Sequence, residues 1–155
     1  MGLDMTLSKK TYVQNWDFHK EKEKHTISIK KGGKVRKDIK SKRISYIVEE
    51  VMYWRKANAI HSWFVENCQN GVDECQESYV SVEQLEELAS LCEEVVQTKN
   101  TSLLETKSGF FFGSTDYDEY YFQECEETAK VIRELLSEET PEGCNKGSFY
   151  YQASW

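Results

Sequence analysis

The feature that most constrains the fold is the change of hydrophobic period along the chain. Apolar and polar side chains alternate over residues 3–7 and again over residues 149–155. A period of two is typical of half-buried strands, whereas much of the intervening sequence follows the 3.6-residue period of helices. Strands and helices therefore do not alternate as in βαβ units. The sequence predicts an α+β fold, with a mostly antiparallel β-sheet packed against three α-helices, one of them long.

Length and composition predict a single domain over residues 1–155. The chain has 155 residues, of which 39% are hydrophobic and 13% aromatic, so it is large and apolar enough to bury a core. It has no run of 18 apolar residues and no apolar signal-peptide segment at its start. These observations predict a cytoplasmic protein with no membrane partner.

The hydrophobic pattern between the two end strands predicts three helices. Residues 42–68 contain no Pro or Gly and predict one helix roughly 40 Å long. The capping-box sequence from Ser81 to Gln84 opens a second helix. The segment GFFFGSTDYDEYYF, residues 109–122, predicts a short aromatic strand that leads into a third helix, with Ser114 or Thr115 as its N-cap.

The first 43 residues are basic and the rest of the chain is acidic. They hold 13 Lys and Arg against 5 Asp and Glu, a net charge of +8. Residues 44–155 have a net charge of −15. Residues 26–37 predict a basic hairpin that turns at Gly32-Gly33, with Ile27, Ile29 and Val35 on one face. Such an arm binds anions, packs on the acidic helices or docks on a second subunit. The sequence leaves open whether the chain forms a homo-oligomer. Nucleic acid is not an expected partner, because aromatic residues do not interleave with the Lys/Arg run.

Cysteine and histidine spacing predicts no metal site. Five cysteines without a CxxC pair indicate reduced thiols rather than a disulfide framework or structural zinc. His61 has no second ligand at metal-binding spacing. No Walker A or GxGxxG loop is present, and no cofactor is predicted.

The candidate site centres on YWRKANAIHSWF, residues 53–64. Projected on the predicted long helix, Arg55 and Asn58 continue an inward line of aliphatic residues, and Trp54 and His61 flank it. Burying these polar groups without partners is costly, so either a ligand or an internal partner must satisfy them. The internal alternatives are a salt bridge from Arg55 to an acid of the third helix and a loop held by Asn58.

The turn GSTDYDEYYF, residues 113–122, supplies the opposite wall. Its acids suit a helix N-terminus, but its aromatic residues exceed what a cap requires. Such a ring of groups suits a purine or ribose-phosphate: aromatic rings stack on the base, Arg55 pairs with phosphate and Asp116 accepts ribose hydroxyls. The predicted ligand-binding residues are Trp54, Arg55, Asn58, His61, Ser114, Asp116, Tyr117 and Tyr120.

Three blocks together resemble a family of small uncharacterised proteins from bacteriophages and prophages. The blocks are MGLDM, YWRKANAIHSWF and FFFGSTDYDEYYF. The resemblance implies a viral protein that acts in the host cytoplasm. By analogy with small phage proteins that have a pocket and no catalytic signature, it suggests a counter-defence sponge that sequesters a nucleotide-derived host immune signal.

Two other functions remain open from the sequence. One is a protein-binding inhibitor of a host defence or metabolic protein, anchored by Trp16, Trp155 and exposed tyrosines. The other is a nucleotide-processing enzyme, with His61 as general acid or base and Asp116 as its orienting carboxylate. The enzyme requires these two side chains to lie within hydrogen-bond reach.

Overall fold

The computed structural model describes residues 2–155, so Met1, which opens the MGLDM block, lies outside it. Within that range the chain forms six strands and three α-helices, and the predicted α+β class is confirmed. The strands are β1 (Asp4–Tyr12), β2 (Lys30–Lys31), β3 (Lys34–Val35), β4 (Tyr46–Arg55), β5 (Ser78–Val80) and β6 (Ser148–Ser154), and the helices are α1 (Asn58–Cys68), α2 (Val82–Thr98) and α3 (Glu119–Ser137).

The main sheet joins the two ends of the chain. Its described strands are antiparallel in the order β4-β1-β6-β5. The two segments predicted from period two, β1 and β6, are neighbours, with Met5 opposite Ala153 and Leu7 opposite Tyr151. Their alternate apolar side chains are buried in one core with residues from all three helices. The opposite face of the sheet carries no helix in the part of the chain that is described, and polar and tyrosine side chains lie on it.

The predicted long helix over residues 42–68 is wrong in its first part. Tyr46–Arg55 is strand β4, and α1 begins only at Asn58. The segment is rich in β-branched and aromatic residues, which favour strands. A β-bulge hides its alternation, because Leu7 pairs with Met52 while Ser8 pairs with Glu50. The extra residue, Val51, breaks the period of two and makes the spacing look helical.

The other two helices have the apolar faces that the sequence predicts. Leu85, Leu88 and Cys92 of α2 are fully buried, as is Ile132 of α3. The capping box of α2 is confirmed: the Gln84 backbone N–H donates to Ser81 Oγ at 3.1 Å, and the Ser81 N–H donates to Gln84 Oε1 at 2.9 Å. All five cysteines lie in the described range and are free.

The basic hairpin forms, but its predicted apolar face is not buried. Gly32 and Gly33 have φ of 57° and 80°, as a tight hairpin turn requires. The strands on either side have only two residues each. Ile29 and Val35 are 42% and 51% exposed, so the hairpin stands away from the core.

Candidate functional site

The site begins where β4 ends and α1 starts. Lys56 lies between them and has φ of 57°, a left-handed backbone conformation that residues other than Gly rarely adopt. Its N–H donates to the Leu3 carbonyl at 2.7 Å. Two glycines leave room for its stem: a Cβ on Gly113 would lie 3.1 Å from Lys56 Cβ, and one on Gly2 would lie 3.3 Å from Lys56 Cε. A side chain at either glycine would crowd the lysine stem, and Gly113, with φ of 81°, also has the left-handed backbone that favours glycine.

Asn58 attaches a long loop to this junction. The cleft loop, residues 104–118, connects the end of the α2 region to α3. The Asn58 side chain is 3% exposed. Its Nδ2 donates to the carbonyls of Phe112 at 2.9 Å and Ser114 at 2.8 Å, and its Oδ1 accepts from the Lys107 N–H at 2.9 Å. This is the alternative in which Asn58 holds a loop internally.

Other hydrogen bonds brace the cleft loop from within. Thr106 Oγ1 donates to the Thr115 carbonyl at 2.9 Å, and the Thr106 N–H donates to Tyr117 Oη at 3.2 Å. Tyr121 Oη donates to the Leu104 carbonyl at 2.5 Å. Because so many of its backbone groups are bonded, the loop is preorganised although it contains no strand.

Two expectations about this loop are wrong. The GFFF segment is a turn rather than a strand, with Phe110 94% exposed and Phe112 buried. The N-cap of α3 is Asp118 rather than Ser114 or Thr115, and its Oδ1 accepts from the Tyr121 N–H at 3.1 Å. Asp is as good an N-cap as Ser, so cap chemistry did not distinguish these positions.

The junction, the cleft loop and the start of α3 enclose a cleft of about 260 Å³. We call it the loop cleft. Small-molecule sites typically measure ~300–1,000 Å³, so this cleft suits a fragment no larger than about one nucleoside. Its lining residues are Lys56, Asn58, Ala59, Thr106, Ser114, Asp116, Asp118, Tyr120, Tyr121 and Glu124.

The electrostatics of the loop cleft are mainly acidic. Among its described lining residues, Asp116, Asp118 and Glu124 face the single cation Lys56. Burial, with the nearby charges of Asp118 and Glu127, raises the pKa of Glu124 to about 7. Near neutral pH this carboxyl group can therefore either donate or accept a hydrogen bond. Tyr120 is 75% exposed and offers a free ring at the edge.

Four of the eight predicted site residues line the loop cleft, and four do not. Asn58, Ser114, Asp116 and Tyr120 belong to its lining. Tyr117 instead braces the loop through Thr106 and packs edge-on against Tyr121, with ring centroids 5.0 Å apart.

Trp54 and His61 lie in the core. Trp54 Nε1 donates to Thr128 Oγ1 at 2.8 Å, which ties β4 to α3. His61 is 1% exposed, with Nδ1 2.6 Å from Tyr151 Oη and Nε2 2.9 Å from Asp73 Oδ2. Both ring nitrogens are thus engaged, one by the buried Tyr151 and the other by the partly exposed Asp73. The pairing of His61 with Asp116 that an enzyme would require is not formed.

Arg55 is not the inward-facing residue that the predicted helix implied. As the last residue of β4 it has a side chain 58% exposed, and its Nη1 lies 4.0 Å from Asp4 Oδ1. Because a strand turns alternate side chains to opposite faces, Arg55 and buried Trp54 point apart. Arg55 does not line the loop cleft, and its ion-pair partner is Asp4 rather than an acid of α3.

Sequence reasoning missed Lys56, Thr106, Asp118, Tyr121 and Glu124. For Glu124 a signal was present, because it lies four residues after Tyr120 and so on the same side of a helix. Lys56 becomes visible only once β4 and α1 are recognised as separate elements. Thr106 lies in a segment without periodicity, and only the folded chain brings it to the site.

Within residues 2–155 no helix combines the length and apolarity that crossing a membrane requires. Comparison with known proteins found no matching family, no matching curated protein and no matching solved structure.

Proposed function

We propose that this chain binds a nucleotide-derived small molecule in the loop cleft and sequesters it. The observation that carries the proposal is a preorganised cleft that presents one cation, three carboxylates and a free aromatic ring among its described residues. Concave sites with an aromatic wall and a few polar groups are the usual form of small-molecule sites.

The charges decide which part of the ligand enters. Carboxylates repel phosphate but accept hydrogen bonds from hydroxyl and amino groups. We therefore assign the ribose to Asp116 and Glu124 and the base to the ring of Tyr120. One phosphate near Lys56 is compatible with this arrangement, whereas a polyphosphate is not. The small volume also argues against a whole cyclic dinucleotide in one cleft.

The backbone at Lys56 supports a binding role. A left-handed non-glycine residue costs on the order of 1–3 kcal/mol, and such residues cluster at ligand sites. Here Gly113 and Gly2 lie against the stem of this lysine, and Lys56 lines the loop cleft.

Binding without turnover fits the described residues better than catalysis. His61, which the enzyme alternative would use as acid or base, is 1% exposed, and its ring nitrogens contact Tyr151 Oη and Asp73 Oδ2. The bacteriophage resemblance adds a biological setting to this proposal, in which the sequestered molecule is a host immune signal.

A thermal-shift panel tests the proposed function. Adenosine, the ribonucleoside monophosphates, ADP-ribose and a cyclic dinucleotide would be compared with spermidine, a cation that an acidic cleft could also take. At 100 times its Kd a ligand adds about 2.7 kcal/mol, or roughly 5–10 °C for a chain of this size. Recovery of the ligand unchanged would distinguish a sponge from a hydrolase.

Variants locate the site. Tyr120→Ala should weaken binding roughly ten-fold, because base–aromatic stacking contributes ~1–3 kcal/mol. Tyr79→Ala is the matched control, since Tyr79 is 59% exposed and lies on β5. A response to spermidine alone, or an equal loss in both variants, would overturn the proposal.

A second candidate function is a protein-binding inhibitor. The observation that favours it is the open face of the sheet, where Tyr46, Tyr53 and Tyr79 are 55%, 48% and 59% exposed. Tyrosine and arginine are enriched at interface hot spots, and Arg55 lies on this face. A pull-down from host lysate with wild type and Tyr53→Ala tests it: a stoichiometric protein lost with the variant supports this function.

A further inference from the structure

The segment between β1 and β4 forms a separate basic arm. It leaves the sheet at Val13 and returns at Ser45, where the Val13 N–H donates to the Ser45 carbonyl at 2.9 Å. We call residues 13–45 the arm. It holds 11 Lys and Arg against 4 Asp and Glu, a balance of +7 in a chain of net charge −7.

Most of this positive charge is unpaired. The ion pairs within the arm are Lys24 with Glu21 and Arg36 with Asp38. No carboxylate among residues 2–155 lies within 4.0 Å of the remaining lysine ammonium groups of the arm. These lysines are Lys20, Lys22, Lys30, Lys31, Lys34, Lys37, Lys40 and Lys42.

An exposed aromatic pair stands at the base of the arm. The rings of Trp16 and Phe18 are nearly parallel, with an interplanar angle of 11° and centroids 6.3 Å apart, and they are 45% and 79% exposed. They line a hollow of about 330 Å³ together with Tyr12, His19 and His25. Large flat rings left in water on a surface indicate a contact site rather than core packing.

The aromatic pair is held in place before any partner binds. Trp16 Nε1 donates to Tyr12 Oη at 2.9 Å, and the Trp16 N–H donates to His19 Nδ1 at 3.2 Å. Asn15 and His25 exchange two hydrogen bonds of 2.7 Å each, which close the base of the arm. These hydrogen bonds therefore fix the backbone of the segment that carries the rings.

We propose that the arm is a binding site for single-stranded nucleic acid. Its unpaired lysines contact the phosphates, and Trp16 and Phe18 stack on bases. Sites for single strands combine a basic track with exposed aromatic rings. The sequence alone disfavours this because rings and lysines are not interleaved. In the folded arm, however, Ser41 Oγ donates to the His25 carbonyl at 3.3 Å, which joins the segment of Lys40 and Lys42 to the segment that follows Phe18 and carries Lys20 and Lys22. A single strand uses both sets of groups, because its phosphates pair with the lysines and its bases stack on the rings.

The test measures binding of a fluorescent 12-nucleotide single strand to the full chain by anisotropy. If four phosphates are neutralised, the affinity should fall about 50-fold between 50 and 200 mM salt. The double variant Lys30→Gln with Lys31→Gln removes two of the four contacts. It should therefore halve the slope of log affinity against log salt concentration. The control pair Lys107→Gln with Lys130→Gln, exposed lysines outside the arm, should leave it unchanged.

The aromatic contribution is tested separately. Phe18→Ala should weaken binding about ten-fold, and it removes a side chain that has no hydrogen bond to lose. Phe110→Ala is the matched control, because Phe110 is 94% exposed and lies on the cleft loop. A duplex of the same sequence should bind more weakly, since its bases are already stacked.

Three results would overturn the proposal. They are absence of binding at 50 mM salt, equal loss in the Phe18 and Phe110 variants, and a salt-sensitive dimer seen by light scattering in a protein that binds no oligonucleotide. The last result would assign the arm to the acidic surface of a second copy.

Discussion

Replacing Asn58 tests how the loop cleft is held together. Asn58→Ala removes three hydrogen bonds between α1 and the cleft loop, at distances of 2.8 to 2.9 Å. A net contribution of about 0.5–1.5 kcal/mol for each bond predicts a loss of roughly 2–4 kcal/mol. The side chain is 3% exposed, so water reaches the stranded carbonyls of Phe112 and Ser114 poorly.

Asn58→Asp tests the donor role of the Asn58 side chain separately from its acceptor role. One carboxylate oxygen can still accept from Lys107 N–H, but the other faces two carbonyl oxygens. This repulsion should raise the pKa of the introduced carboxyl group above its unfolded value of about 3.9. The folded state then binds more protons than the unfolded state, so stability should fall as the pH rises from 4 to 7.

Urea unfolding followed by tryptophan fluorescence measures both variants. Ser62→Ala, a half-buried serine on the same helix, is the control and should change stability by less than about 0.5 kcal/mol. The reasoning is refuted if Asn58→Ala costs no more than this control, or if the Asp variant becomes more stable with rising pH relative to wild type.

Three further predictions concern other residues. Tyr151→Phe should cost about 1–3 kcal/mol in urea unfolding, because it strands the buried Nδ1 of His61. The pKa of Glu124 is raised to about 7, so ionising this side chain costs stability as the pH rises. Glu124→Gln should therefore stabilise the protein by about 1–2 kcal/mol at pH 8, after allowance for solvent screening, and the gain should vanish at pH 4. Arg55→Ala should change stability by less than about 1 kcal/mol, since its ion pair with Asp4 is exposed.

The elements at both ends of the chain and helices α2 and α3 were predictable because their periods are unbroken. Leu3, Met5 and Leu7 keep a strict alternation, and Ser81 carries a capping box that is visible as four letters. Strand β4 was not predictable, because the bulge at Val51 shifts its alternation and mimics a helical stripe. Local patterns fail where a backbone irregularity changes the period.

The candidate site was predictable in part. Asn58, Ser114, Asp116 and Tyr120 come from segments whose composition exceeds what a core or a cap requires, and folding brings them to one cleft. Arg55 was misplaced because the assumed helix set its direction, whereas His61 does lie on a helix, α1, and faces the core. Their true environments depend on partners that are distant in sequence, Asp4 for Arg55 and Tyr151 for His61. Helical spacing carries no information about such partners.

The most direct test of the proposed function is an NMR titration of the ¹⁵N-labelled chain with the four ribonucleoside monophosphates. We expect at least one of them to shift amide signals at Lys56, Ser114, Asp116, Tyr120 and Glu124, and the affinity fitted to these shifts to fall roughly ten-fold in Tyr120→Ala. No shift at millimolar ligand, or shifts confined to the open face of the sheet, would contradict a nucleotide site in the loop cleft.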